Sequence, residues 1–166
     1  MATLEPLRFR RIMVPVDESK PSQNSLAVAA GLARETGAQV ILTHVVQMRW
    51  SQDEPEMRAT YGDIVDDYRA SGEETLRRTA SSETFSGLDV DTQLLFGNNP
   101  ARELLRLAKE REVDAIVMGS HGRGRFGGMM LGSVSQRVIH DATVPVIIVP
   151  PHLERAEEAS SEPHRA

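Results

Sequence analysis

Five short apolar runs, separated by polar stretches of helical character, predict an α/β protein built on a parallel sheet. The runs are RIMVPVD (11–17), QVILTHVV (39–46), DVDTQLLFG (89–97), DAIVMG (114–119) and VPVIIV (144–149). The first and last are apolar on both faces, the mark of strands covered on both sides. Strict alternation of strand and helix favours right-handed crossovers and a single sheet with helices on both faces. The expected architecture is an open, five-stranded parallel sheet of Rossmann-like type.

Each element has its own punctuation. Pro15 is awkward inside a buried strand and belongs at the carboxyl end of the first one. The stretch after it, ESKPSQNSLAVAAGLARETGA, has Ser19 or Ser22 as candidate cap and Pro21 in the first turn. Leu26, Ala29, Ala30 and Ala33 give this helix an apolar stripe, and Gly37 stops it. Residues 47–62, QMRWSQDEPEMRATYG, lack a clean period and read as a loop or irregular excursion able to act as a lid. From Asp63 to Ser82, Ile64, Tyr68, Leu76 and Thr79 are spaced loosely for one buried helix face, with Gly72 as an interruption. The first half of 89–97 alternates. NNPARELLRLAKEREV is a helix with Asn98 or Asn99 as cap and Pro100 at its start. Ser133 is expected to cap a last helix running to about His140.

The 166-residue length fits one domain, placed at 1–150, followed by a polar, proline-bounded and flexible tail at 151–166. The chain contains no Cys, which excludes disulfides, thiolate metal sites and cysteine nucleophiles. The N-terminal stretch lacks the apolar core of a secretory signal, and no apolar run reaches the length of a membrane span. A cytoplasmic protein away from membranes is expected. With 19 basic and 24 acidic residues the net charge is −5, which argues against nucleic acid as a partner. Against that acidic background, residues 119–140 carry Arg123, Arg125 and Arg137 and no carboxylate, a local preference for anions.

The stretch GSHGRGRFGGMMLGSVS (119–135) holds six glycines. Gly122, Gly124 and Gly127 match the dinucleotide fingerprint GxGxxG, but that motif opens a first strand–helix unit and needs an acid about twenty residues on. Here the loop follows the fourth strand, and the region 142–149 has no acid. The Walker A pattern fails because no Gly-Lys pair occurs. A third spacing remains: Gly119-x2-Gly122-x9-Gly132-Ser133. Its chemistry suits a nucleotide. Gly119 lets a ligand approach the backbone, and Gly122 can adopt positive φ and turn amides toward an anion. Gly132, Ser133 and Val134 open a helix, where free N–H groups and the dipole favour phosphate.

This spacing resembles the ATP-binding branch of the universal stress protein family, G-x2-G-x9-G-[S/T]. RIMVPVDES, VILTHVV, the stretch LLFGNNPARELLRLAKEREVDAIVMGSHG, LGSVSQRVI and VPVIIV resemble the rest of that family's chain, so the likeness covers about residues 9–150. The resemblance implies a fold of the adenine nucleotide alpha-hydrolase-like type, with ATP at the carboxyl end of the sheet and Mg2+ as a possible companion. It implies that Pro15, Val16 and Asp17 meet the adenosine, that the backbone of Val45 reads the adenine edge, and that Met118 precedes the first glycine of the site. Gly119, Gly122, Gly132, Ser133 and Val134 match the ribose and phosphate positions. It also implies a homodimer through the last strand, Val144–Val149, whose bare apolar edge invites pairing in any case.

Blander roles stand beside these. Asp17 can cap the following helix. Arg123 and Arg125 are either solvated charges or partners of a γ-phosphate. Gly127 and Gly128 give the loop freedom, and Met129 and Met130 cover it. His44, His121, His140, His152 and His164 lack HxxxH or HxH spacing, so no metal site is expected. His121 reads as scaffolding, and no catalytic residue is assigned. The expected function is a nucleotide-dependent stress-response switch read by a protein partner. A slow ATPase or self-phosphorylating enzyme is the alternative.

Overall fold

The computed structural model of the protein describes residues 6–17, 20–48, 55–120 and 131–151. Its strands are β1 (Arg11–Pro15), β2 (Gln39–Gln47), β3 (Val90–Gly97), β4 (Ala115–Gly119) and β5 (Val146–Val149). Its α-helices are α1 (Lys20–Thr36), α2 (Pro55–Ala80), α3 (Pro100–Glu110) and α4 (Ser133–Asp141), with a single 3-10 turn at Glu83–Phe85. All pairings are parallel, in the order β3-β2-β1-β4-β5. The expected five-stranded, doubly covered sheet is what forms. The chain builds outward from β1 to β3, then crosses back to lay β4 and β5 on the other side. Strand order therefore reverses between β1 and β4.

Alternation along the strands divides the core in two. Ile12, Val14, Val40, Leu42 and Val117 face Ala29, Ala30 and Ala33 of α1 and Leu76 of α2. Met13, Ile41, Ile116 and Met118 face Ala101, Leu104 and Leu107 of α3 and Val138 of α4. Ile12, Met13, Ile41 and Ile116 are fully buried, and such side chains contribute about 1.5–3 kcal/mol each. Among the described residues no helix is long and apolar enough to cross a membrane.

Most punctuation works as expected. Gly37 sits at φ +72° and its N–H donates to the Ala33 carbonyl at 2.9 Å, closing α1. The Asn99 side chain accepts from the Arg102 N–H at 3.2 Å at the start of α3. Of the two candidate caps for α1, Ser22 lies inside the helix, and Ser19 lies outside the described residues. β5 starts at Val146, two residues later than expected, and β3 starts one residue later, at Val90.

Two expectations are corrected. The stretch 47–62 is not irregular throughout: Gln47 ends β2, and α2 starts at Pro55 and continues unbroken to Ala80. The missing period has a physical cause. Among the helix residues whose burial is described, the buried face of α2 starts at Val65, which packs on Val46 and Met48 at the carboxyl end of β2. Tyr61, Asp63 and Ile64, just before it, are exposed and need no stripe. Ile64 and Tyr68 lie off the inner face and are not buried; they are 45% and 54% exposed. The inner face is Val65, Gly72, Thr75 and Leu76. Gly72 marks a close approach rather than an interruption: a Cβ there would stand 2.5 Å from Leu94 Cδ1 and 3.2 Å from His44 Cδ2.

At the amino edge of the sheet, one carboxylate aligns β1 with β4. Asp114 Oδ2 accepts from the backbone N–H groups of Arg10 at 2.7 Å and Arg11 at 2.8 Å. Both bonds are charge-assisted. Asp114→Ala is expected to cost about 1–2 kcal/mol, measured by urea denaturation, because two strand-end amides lose an ionic acceptor.

Candidate functional site

Near the strand-order reversal, at the carboxyl edge, the strand pairing of β1 with both neighbours ends. On the β4 side, pairing stops at Met13↔Ile116, although β4 continues to Gly119. The next bond in that ladder would need an N–H from Pro15, which has none. On the β2 side, the Val16 N–H still donates to the Thr43 carbonyl at 2.7 Å, but the strand has ended at Pro15. The Val16 carbonyl faces the His44 ring instead, with Nδ1 at 2.8 Å. The tip Pro15-Val16-Asp17 thus stands in a crevice outside the sheet's carboxyl end, the usual ligand position in such folds.

The β4 tip and α4 form the opposite wall. Ser120 is tied to β5 by its N–H, which donates to the Val149 carbonyl at 2.9 Å. The Gly132 N–H donates back to the Ser120 carbonyl at 2.8 Å, so the two ends of the intervening loop are held together. Ser135 is buried, and its hydroxyl donates to the Gly119 carbonyl at 3.0 Å. This bond fixes the start of α4 against the end of β4.

The N-cap of α4 is Gly132, at φ −63° and ψ 155°; Ser133 is the first helical residue rather than the cap. The first intrahelical bond is from the Gln136 N–H to the Gly132 carbonyl, at 2.9 Å. The amides of Ser133, Val134 and Ser135 therefore precede the helix's own acceptors. A serine, aspartate or asparagine cap would offer them a side-chain oxygen. Glycine cannot, which suits amides intended for an external anion.

The other sequence-derived residues fall around this crevice. Met118 is buried beneath the β4 tip, and Gly119 is half-buried at its end. Val45 is half-buried on β2, its side chain packed on the α3–α4 side of the sheet. Asp17 is half-buried at the end of the β1 tip, and it has an interaction partner in the fold. Ser133 is exposed, and Gly132 and Val134 are half-buried. Gly122 and Arg123, with His121 and Arg125, lie outside the described residues. Among the described residues no three His, Asp or Glu side chains cluster as metal ligands.

Two contributors escaped the sequence reading. Ser135 was hidden on the inner face of α4, one turn before the buried Val138; its spacing from Val138 was the available signal. His44 was visible as a polar residue in the otherwise apolar run VILTHVV, but its partner depends on register.

Known proteins share this fold. The model for the universal stress protein family matches residues 8–150. The chain is 30% identical over 141 residues to universal stress protein MJ0531 of Methanocaldococcus jannaschii, a match spanning 85% of this chain and 82% of that protein. The solved structure of MJ0577 from the same organism has a TM-score of 0.74 at 23% identity, covering 88% of this chain and 99% of that one; this likeness concerns the fold alone. An Archaeoglobus fulgidus universal stress protein solved in complex with dAMP has a TM-score of 0.59 at 26% identity, covering 87% of this chain and 99% of that one. By the family model over nearly all of its strands and helices, and by this identity to a curated member, the chain belongs to the universal stress protein family.

Proposed function

We propose that residues 1–150 form one domain that binds ATP at the carboxyl edge of the sheet and acts in the cytoplasm as a nucleotide-dependent stress-response switch. The observation that carries this reading is the glycine-capped start of α4. It presents the amides of Ser133 and Val134 across the crevice from the β1 tip, within the spacing Gly119-x2-Gly122-x9-Gly132-Ser133. In the proposed complex Pro15, Val16 and Asp17 meet the adenosine, and Val45 offers backbone groups to the adenine edge. Met118 supports the floor, and Gly119 and Gly122 admit the ribose and phosphates. Gly132, Ser133 and Val134 hold the phosphate chain, with Arg123 beside it. Mg2+ would arrive on the phosphates. The Archaeoglobus fulgidus relative in complex with dAMP supports an adenine nucleotide as ligand class. A ligand that orders one state of the carboxyl edge favours that state, and a protein partner would read it.

Thermal melting with and without ATP tests the reading. At about a hundredfold excess over Kd, ligand linkage adds about 2.7 kcal/mol, a rise in Tm of about 5–10 °C for a chain of this size. An unchanged Tm at millimolar ATP would contradict it.

We further propose that two copies pair along β5. The Ser120 N–H donates to the Val149 carbonyl and the Ile116 N–H to the Pro145 carbonyl. By alternation, the backbone groups of Val146 and Ile148 point away from β4, along an edge that no described strand pairs with. Ile148→Pro removes an outward N–H while leaving the β4 ladder its donors. It is expected to turn a dimer into a monomer in sedimentation while the fold is kept. A wild-type monomer at micromolar concentration would overturn this arrangement.

A further inference from the structure

We infer that His44 is a positioning residue of the nucleotide site: its ring N–H draws the Val16 carbonyl out of the β1–β2 ladder, fixing the Asp17 tip and freeing the backbone of Val45 for the ligand's base. The inference rests on the nucleotide reading above and adds to it a residue on the side of the sheet facing α2. The register Pro15↔Thr43 sets Val16 opposite His44. A parallel ladder continued by one residue would give the Val16 carbonyl to the Val45 N–H. The pairing ends before that bond, and the carbonyl lies 2.8 Å from His44 Nδ1. The bond from Val16 to Thr43 shows that the odd-numbered residues of β2 turn their backbone groups toward β1. The N–H and C=O of Val45 therefore point into the crevice where β1 has ended. They form a donor and an acceptor on one residue, matched to a flat heterocycle whose edge carries an acceptor beside an amino group.

The ring is held for this task. A carbonyl only accepts, so Nδ1 carries the hydrogen in this bond. On the other side, α2 passes so close that any side chain at position 72 would meet Leu94 and the His44 ring. Gly72 lets the helix pack flat against the imidazole and limits its rotation. The glycine that interrupts the helical pattern of α2 thus supports a residue at the site.

Two substitutions separate this role from packing. Asn places its amide nitrogen near the position of Nδ1, whereas Gln reaches the position of Nε2. Both lose the ring's contacts with Gly72 and Leu94, so both are expected to lower Tm similarly. ATP affinity by calorimetry is expected to fall about tenfold in His44→Gln and to stay within about threefold of wild type in His44→Asn, because only Asn restores the donor to Val16. Nitrogen-15 spectra of the wild-type ring are expected to show the hydrogen on Nδ1. Equal affinities in the two variants, or a neutral wild-type ring with its hydrogen on Nε2, would overturn the inference. Wild-type protein that binds no ATP would overturn the nucleotide reading and this inference with it; ATP binding that survives His44→Gln unchanged would overturn this inference alone.

Discussion

Gly132→Asp is expected to stabilise the free protein slightly and to weaken ATP binding about a hundredfold, two effects of opposite sign from one carboxylate. At φ −63° and ψ 155°, position 132 already has the extended backbone of a helix cap, so aspartate fits without strain. Its side chain would accept from the amide of Val134 or Ser135 and complement the dipole of α4. Replacing a glycine cap in this way adds about 0.5 kcal/mol, a rise in Tm of about 1–2 °C. The same carboxylate would occupy the proposed phosphate amides and place a negative charge beside the phosphates. Gly132→Asn separates the two causes. It caps equally well but is neutral, so a loss of about tenfold is expected. Calorimetric titration and melting of the three proteins check both signs. Undiminished ATP affinity in Gly132→Asp would mean that the phosphates do not rest on α4.

Ile116→Ala is expected to cost about 3–4 kcal/mol of stability while leaving ATP affinity within about twofold at temperatures well below the transition. Ile116 is fully buried in β4, packed among residues of the α3–α4 core. Truncation removes transfer energy and leaves a cavity that strands on both sides keep from closing. Against a total of about 5–15 kcal/mol, such a loss takes a large share, and Tm should fall by about 6–16 °C. Ile116→Val, which removes one methylene group, should cost about 1 kcal/mol. Urea titration of both variants gives the numbers. Ile116 lies below the crevice floor at Met118 and offers no group to a ligand, which separates its effect from that of Gly132→Asp.

The strands were legible because RIMVP and QVILTHVV carry their burial in their composition, and a strand buried on both faces needs no partner to be recognised; VIIV is as apolar, although of its residues only Val149 is buried. Helix ends were legible where one residue decides them, as at Gly37 and Asn99. The turn of α2 just before Val65 was not, since periodicity reports a buried face and Tyr61, Asp63 and Ile64 are exposed. The cap of α4 was misplaced by one residue because serine is the commoner cap, whereas here the glycine before it takes the cap backbone. For the candidate site, the family resemblance supplied the residues, and a parallel sheet gathers the strand ends that carry them at one edge. The bonds that open the crevice could not. The Val16–His44 contact requires the β1–β2 register, and the Ser135–Gly119 contact requires the seat of α4 against β4. Pro15 was read as a strand end; its further effect, ending the β1–β4 pairing, follows only once β4 is known to be its neighbour.

Backbone amide NMR during ATP titration tests most directly the proposal that an adenine nucleotide lies between the β1 tip and the start of α4. The expected result is a set of shifts confined to the carboxyl edge, including the amides of Val16, Val45, Gly119, Ser133 and Val134. Amides at the amino edge, such as those of Asp91, Arg111 and Asp114, should stay in place. Shifts centred on the amino edge or on the outer face of α2, or an unchanged spectrum at millimolar ATP, would contradict it.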